Sequence, residues 1–268
     1  MSQSNQNMEK NRSQRFLTVV PVIFLCILAA LFLGNALSAP KKKLNRIHQH
    51  YADTSGSCLF FRNDSLDQAV LKAQKDIAFY TSRLAMAKSD SICVSVNLED
   101  SILNLEIRGV VVHQAGIATR KVNLFFSRID PCAVRNLFSK PFILKKLRGN
   151  GPQNPVLVKK APKDTIEAAK ISSPPDTSRR KPVFFTAELE NGFTIYIEQY
   201  DRKNLRYHLA RTCFLTRHRL ITAVHTLADL FRLRITDYKP LICLQLSHED
   251  ARALYRSLPR QALFSLRI

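Results

Sequence analysis

The longest apolar stretch of the chain comes first. Residues 16–39, FLTVVPVIFLCILAALFLGNALSA, carry no charged side chain, and residues 16–33 are apolar at nearly every position. A run of that length crosses most of a hydrocarbon core of about 30 Å, so it predicts a transmembrane helix. Lys10, Arg12 and Arg15 precede it and Ala36-Leu37-Ser38 closes it, as in a secretory signal. Signal cores are shorter, about 7–15 residues, and the length here favours an uncleaved anchor. Lys41, Lys42, Lys43 and Arg46 follow, so basic residues flank both ends and the charge rule does not fix the orientation. A short tail, residues 1–15, ahead of a first apolar segment most often stays in the cytoplasm. That placement puts residues 40–268 outside it, in the periplasm of a bacterial host, with the anchor in the inner membrane.

After a linker over residues 40–64, the apolar period becomes helical. Ser65 suits an N-cap and Asp67 the first turn, and Leu66, Val70, Ala73, Ile77, Tyr80, Leu84 and Ala87 recur in steps of four and three. This predicts a helix over residues 65–88 with a coiled-coil-like seam. The seam either packs on the chain's own domain or pairs with a second copy as a stalk.

From Ile92 the period drops to two. ICVSVNLEDSILNLEIRGVVVHQAGIATRKVNLFF alternates apolar with polar positions around turns at Glu99-Asp100-Ser101 and Arg108-Gly109, a meander of three or four antiparallel strands. Residues 145–182 break the alternation with prolines, glycines and charges and read as a long exposed insertion. PVFFTAELENGFTIYIEQYD then predicts a hairpin, because Asn191-Gly192 accepts the positive φ angles of a tight turn. Residues 205–234 fit a helical face through Leu220, Ala223, Leu227 and Phe231, although RLITAV also suits a strand. Strand PLICLQL, a helix capped by Ser247, and strand ALFSLRI close the chain. Residues 89–268 thus form a mainly β domain with a few helices.

Composition adds charge and thiols to this picture. The net charge of +20 is spread through the extramembrane part and suits anionic partners or an anionic envelope. Nucleic acid is not an expected partner, since no recognition motif or aromatic stacking pattern accompanies the charge. Of six cysteines, Cys26 lies in the apolar run, and the other five show no CxxC pair and no metal-ligand spacing. No metal or cofactor is expected.

Two blocks carry a further signal: VSVNLEDSILNLEIRGVVVHQAGIA, and CLQLSHEDARALYRSLPRQALFSLRI at the C-terminal end. The first resembles the opening strands of the L,D-transpeptidase family, periplasmic enzymes that cross-link peptidoglycan through a cysteine acyl-enzyme. The second resembles that family's catalytic cysteine, its L-S-N-E-D-A-x-x-L-Y helix, a P-x-G-T-x-V turn and a final strand. The resemblance implies an antiparallel β-sandwich or barrel over residues 92–268, with Cys243 at the nucleophile position and His225, in AVHTL, as its imidazole partner. Such a pair is needed because a thiol with a pKa of about 8.5 is mostly protonated until a base takes its proton.

Several family residues are replaced. Where the family carries S-H-G-C-x-R, the chain reads Pro240-Leu241-Ile242-Cys243-Leu244-Gln245, and no glycine follows Gly192. The lost glycine helps aim backbone N–H groups at an oxyanion, an effect worth about 3 kcal/mol per donor. These replacements favour a scaffold without chemistry, a membrane-anchored protein that binds peptidoglycan or envelope partners and dimerises, if at all, through the helix at 65–88. The alternatives are a divergent active transpeptidase using Cys243 and His225, and an unrelated β-rich subunit of a membrane or secretion assembly. A fold that failed to place residues 93–125 and 241–268 in one β-sandwich would favour the last.

Overall fold

The computed structural model describes residues 2–51, 64–151, 182–200, 205–232 and 234–268, and through residue 28 only the side chains of Ile23 and Cys26. Among these residues it is mainly β, with nine strands in one mixed sheet and five α-helices. Two compact units emerge: residues 1–45 with 217–238, and residues 46–216 with 239–268.

The first unit is helical. It holds most of α1 (Ser2–Tyr51) and the second half of α4 (Leu205–Phe231). Asn35, Ala39 and Lys43, four residues apart, form a buried stripe on α1. Thr236 donates its N–H to Asn35 Oδ1 at 3.2 Å, and Lys43 pairs with Asp237 at 3.6 Å. Among the described residues no helix is long and apolar enough to cross a membrane. The expected anchor falls largely on residues whose side chains lie outside that set.

The second unit contains the sheet, in the order β3 (Val110–Gly116), β2 (Ile102–Ile107), β1 (Cys93–Asn97), β9 (Leu263–Arg267), β5 (Phe142–Gly149), β6 (Phe184–Leu189), β7 (Thr194–Gln199), β8 (Leu241–Leu246), β4 (Thr119–Val122). β1 (Cys93–Asn97), β2 (Ile102–Ile107) and β3 (Val110–Gly116) form the expected meander. Its second turn is a two-residue I′ turn, with Arg108 at φ 51° and Gly109 at φ 80°, the left-handed pair that matches strand twist. The fourth expected strand departs from the meander. β4 (Thr119–Val122) leaves its neighbours after two residues and pairs with β8 (Leu241–Leu246) at the other end of the strand order. Ile117 donates its N–H to Ser101 O and Ala118 to Gln245 O, both at 2.8 Å, so this two-residue link joins the two ends of the sheet.

β5 (Phe142–Gly149) also joins two parts. Its first two residues pair with β9 (Leu263–Arg267) and those from Leu144 on with β6 (Phe184–Leu189), the latter pairing carrying a bulge between Leu144 and Lys146. Residues 145–149 therefore belong to a strand rather than to the insertion expected from 145. Lys145 and Lys146 read as loop because both are exposed. Residues 152–181 of that insertion lie outside the described set.

β6 and β7 (Thr194–Gln199) form the expected hairpin, with Gly192 at φ 82° and Asn191 Oδ1 accepting from Phe193 N–H at 3.0 Å. A helix over residues 131–138, α3 (Pro131–Phe138), was not legible in the apolar period. Its start is set by Asp130, which caps Cys132 N–H at 3.2 Å, and by Pro131 at the first helical position. The end of α1 docks on it, as Asn136 Nδ2 donates to Tyr51 O at 3.0 Å.

α2 (Asp64–Ala87) packs on β9 and α3, but not through its heptad seam. Ala78, Phe79, Ser82 and Met86 are the buried positions, whereas Ile77, Tyr80 and Leu84 are exposed. The docked face is fixed by ion pairs: buried Arg267 of β9 meets Asp76, and Arg83 meets buried Glu106 at 3.0 Å. α5 (His248–Ser257) begins at Ser247, whose Oγ accepts from Asp250 N–H at 3.1 Å, and buries Ala251, Leu254 and Tyr255.

Candidate functional site

Cys243 sits midway along β8. Alternation along that strand sends Ile242, Leu244 and Leu246 into the core and leaves Leu241, Cys243 and Gln245 on the opposite face. β7 runs parallel to β8 with Tyr196 opposite Cys243 and Glu198 opposite Gln245, and β4 places Lys121 on the other side of Cys243. This face therefore mixes aromatic, thiol and charged groups.

The first turns of α4 cover it. Tyr207, Ala210, Phe214 and Leu215 pack against Phe184, Tyr196, Leu241 and Cys243. The Phe214 ring stacks on Tyr196 at 6.0 Å between centroids and on Phe184 at 6.2 Å. At the edge of this aromatic layer, buried Glu198 is held from two directions. Arg211 Nε of α4 donates to Oε2 at 2.6 Å, and Gln245 Nε2 donates to Oε1 at 2.5 Å. A buried carboxylate is tolerated when both oxygens are engaged in this way.

The electrostatics follow from this packing. Burial, and next the Glu198 charge, push the Cys243 thiol above its ordinary value, against a smaller opposing pull from Lys121 and Arg211. Burial and Glu198 likewise push the Tyr196 phenol up. A nucleophilic cysteine needs the reverse, a positive neighbour or a base that lowers the thiol. At neutral pH Cys243 is a protonated, half-buried SH group facing a helix.

The other expected member of the dyad, His225, is an exposed side chain on the second half of α4 and belongs to the helical unit, whereas Cys243 belongs to the sheet unit. Sequence reasoning missed Glu198 and Arg211. Glu198 had a signal, as an acidic residue inside the apolar run TIYIEQ. Arg211 had none, because it falls in a segment that fits helix and strand alike.

A cleft of about 470 Å³ opens elsewhere in the sheet unit, between α2, the ends of β1 and β9, and the segment leading into α3. Leu98, Phe126, Phe138 and Leu266 give it an apolar floor, and Lys72, Lys75 and Arg120 stand at its side. Glu99 also lines it, but is engaged by Lys72 at 3.3 Å and Arg267 at 2.6 Å, which leaves the rim cationic. Among the described residues no group of three or more His, Cys, Asp or Glu side chains is placed to hold a metal ion. Compared with known proteins, the chain matches no family model, no curated protein and no solved structure.

Proposed function

We propose that this chain is a membrane-anchored protein of the cell envelope whose β domain is L,D-transpeptidase-like in fold but binds rather than cuts or joins peptides. The observation that carries the loss of chemistry is the packing around Cys243: a protonated, half-buried thiol against the cluster of Phe184, Tyr196 and Tyr207, with a carboxylate near it. The position two residues after the cysteine, arginine in the family, is Gln245, and the guanidinium on the nearby carboxylate comes from Arg211 of the covering helix.

Three further observations favour the reading. The two blocks that carry the resemblance meet in the sheet, with β1 parallel to β9 and Ala118 N–H donated to Gln245 O on the Cys243 strand, which an accidental match gives no reason to expect. Cys132 is disulfide-bonded, which suits an oxidising compartment outside the cytoplasm. On α1, Ile23, Leu31, Leu33 and Leu37 are 52–72% exposed, an arrangement that lipid favours and water does not. The apolar cleft with its cationic rim is the place for an anionic wall or envelope ligand.

The test uses the full chain in detergent with purified peptidoglycan sacculi and, separately, a cysteine-directed transpeptidase inhibitor. Co-sedimentation with sacculi is expected, reduced about tenfold by Lys72→Glu with Lys75→Glu through the lost charge attraction, and unchanged by Cys243→Ala. Acylation by the inhibitor that disappears in Cys243→Ala would instead establish an active enzyme.

A further inference from the structure

α2 has two apolar faces, and the fold uses one. At 100° per residue, the buried positions Ala78, Phe79, Ser82 and Met86 centre on one side of the helix. Ala73, Ile77, Tyr80 and Leu84 centre on the side diametrically opposite, pointing away from the domain. Ile77 is 53% exposed, Tyr80 54% and Leu84 69%. A helix laid on a domain ordinarily presents polar residues outward. Here the outward face carries the steps of four, three and four that bring two helices together along a seam.

The apolar surface continues past the end of the helix. A side chain built at Gly109 would begin 3.0 Å from the Cβ of Ala87, so the β2–β3 turn abuts the last turn of α2. Beyond it Val110, Val111 and Val112 are 65%, 43% and 57% exposed on β3, an edge strand paired only with β2 among the described residues. Val111 is in register with Glu106, whose carboxylate meets Arg83 of α2, so it lies on the helix side of the sheet.

We propose that this face is a self-association surface, with α2 of one copy packed against α2 of a second copy. Ile77, Tyr80, Leu84 and Val111 share this side and present on the order of 450 Å² per copy, within the range of the largest apolar patch of a monomer and more than half of the ~800 Å² per partner of a specific interface. Charge raises no obstacle. Asp76 and Arg83, which flank the stripe, are each engaged by their own domain, through Arg267 and Glu106. A seam of 3.5-residue period matches its own copy, whereas an unrelated partner would need to have been fitted to it.

The interface does not rest on the binding reading above, and its test reads mass and contact rather than ligand. In the full chain in detergent, sedimentation is expected to give twice the chain mass at micromolar concentration. Ile77→Glu with Leu84→Glu should return the single-chain mass and lower the unfolding temperature only to that of the wild type diluted until it is monomeric, since both positions are exposed within one copy. A photo-crosslinking residue at position 80 is expected to join two chains through residues 73–87. A monomeric wild type, or an adduct within one chain to residues 152–181 or to a different protein, would overturn the proposal.

Discussion

A cysteine in a strand can be a nucleophile, a packing residue or both, and its proton decides. For Cys243, burial raises the thiol pKa above its ordinary value of about 8.5. The folded chain then retains a proton that the unfolded chain releases, so this contribution to stability is complete below about pH 8.5 and is lost as the pH rises through the raised value. Alkylation of the native protein at pH 7.5 should therefore be slow at Cys243, ~10-fold or more behind exposed Cys213, and should accelerate only on the alkaline side. Equal labelling of the two by mass spectrometry would contradict the buried thiol. Cys243 itself was legible in the sequence because PLICLQL alternates cleanly. Its surroundings were not, because Tyr196 and Glu198 reach it across a parallel strand pair that no local pattern encodes.

Elements show the same division between local and long-range information. The hairpin at Asn191-Gly192 and the Ser247 cap carry their instructions within four residues, and both form where the sequence puts them. α2 illustrates the limit: its heptad spacing is real, but ion pairs from Arg267 and Glu106, distant in sequence, choose which face docks. The segment from 205 could not be assigned from its period, since a helix covering an aromatic sheet face needs Tyr207, Phe214 and Arg211 at one helical spacing and also carries the β-branched Ile221, Thr222 and Val224. Arg211 is what ties that helix down over Glu198. Arg211→Ala should cost about 2 kcal/mol, discounted for partial exposure of the guanidinium, and should speed alkylation of Cys243 as the cover loosens. A variant with unchanged unfolding and unchanged labelling would show that the aromatic stack alone holds the helix.

At the scale of the whole molecule, thiol count reports on the compartment. Of six cysteines, Cys26, Cys93, Cys213 and Cys243 are free and Cys132 is disulfide-bonded. Alkylation of the unfolded chain before reduction should thus block four thiols, and after reduction six; six at the outset would mean that the bond does not form where the protein resides. The sheet's connectivity has a bearing on how the chain is made. β1 lies between β2 and β9, so the seam at its centre joins strands separated by most of the β domain in sequence. Contacts of such separation form slowly, because a large loop must close before they are rewarded. A ribosome or translocon delivering this chain in order releases β9 after every other strand. Half of the sheet then has no partner for its inner edge until β9 has emerged, and the seam between β1 and β9 cannot close before that point.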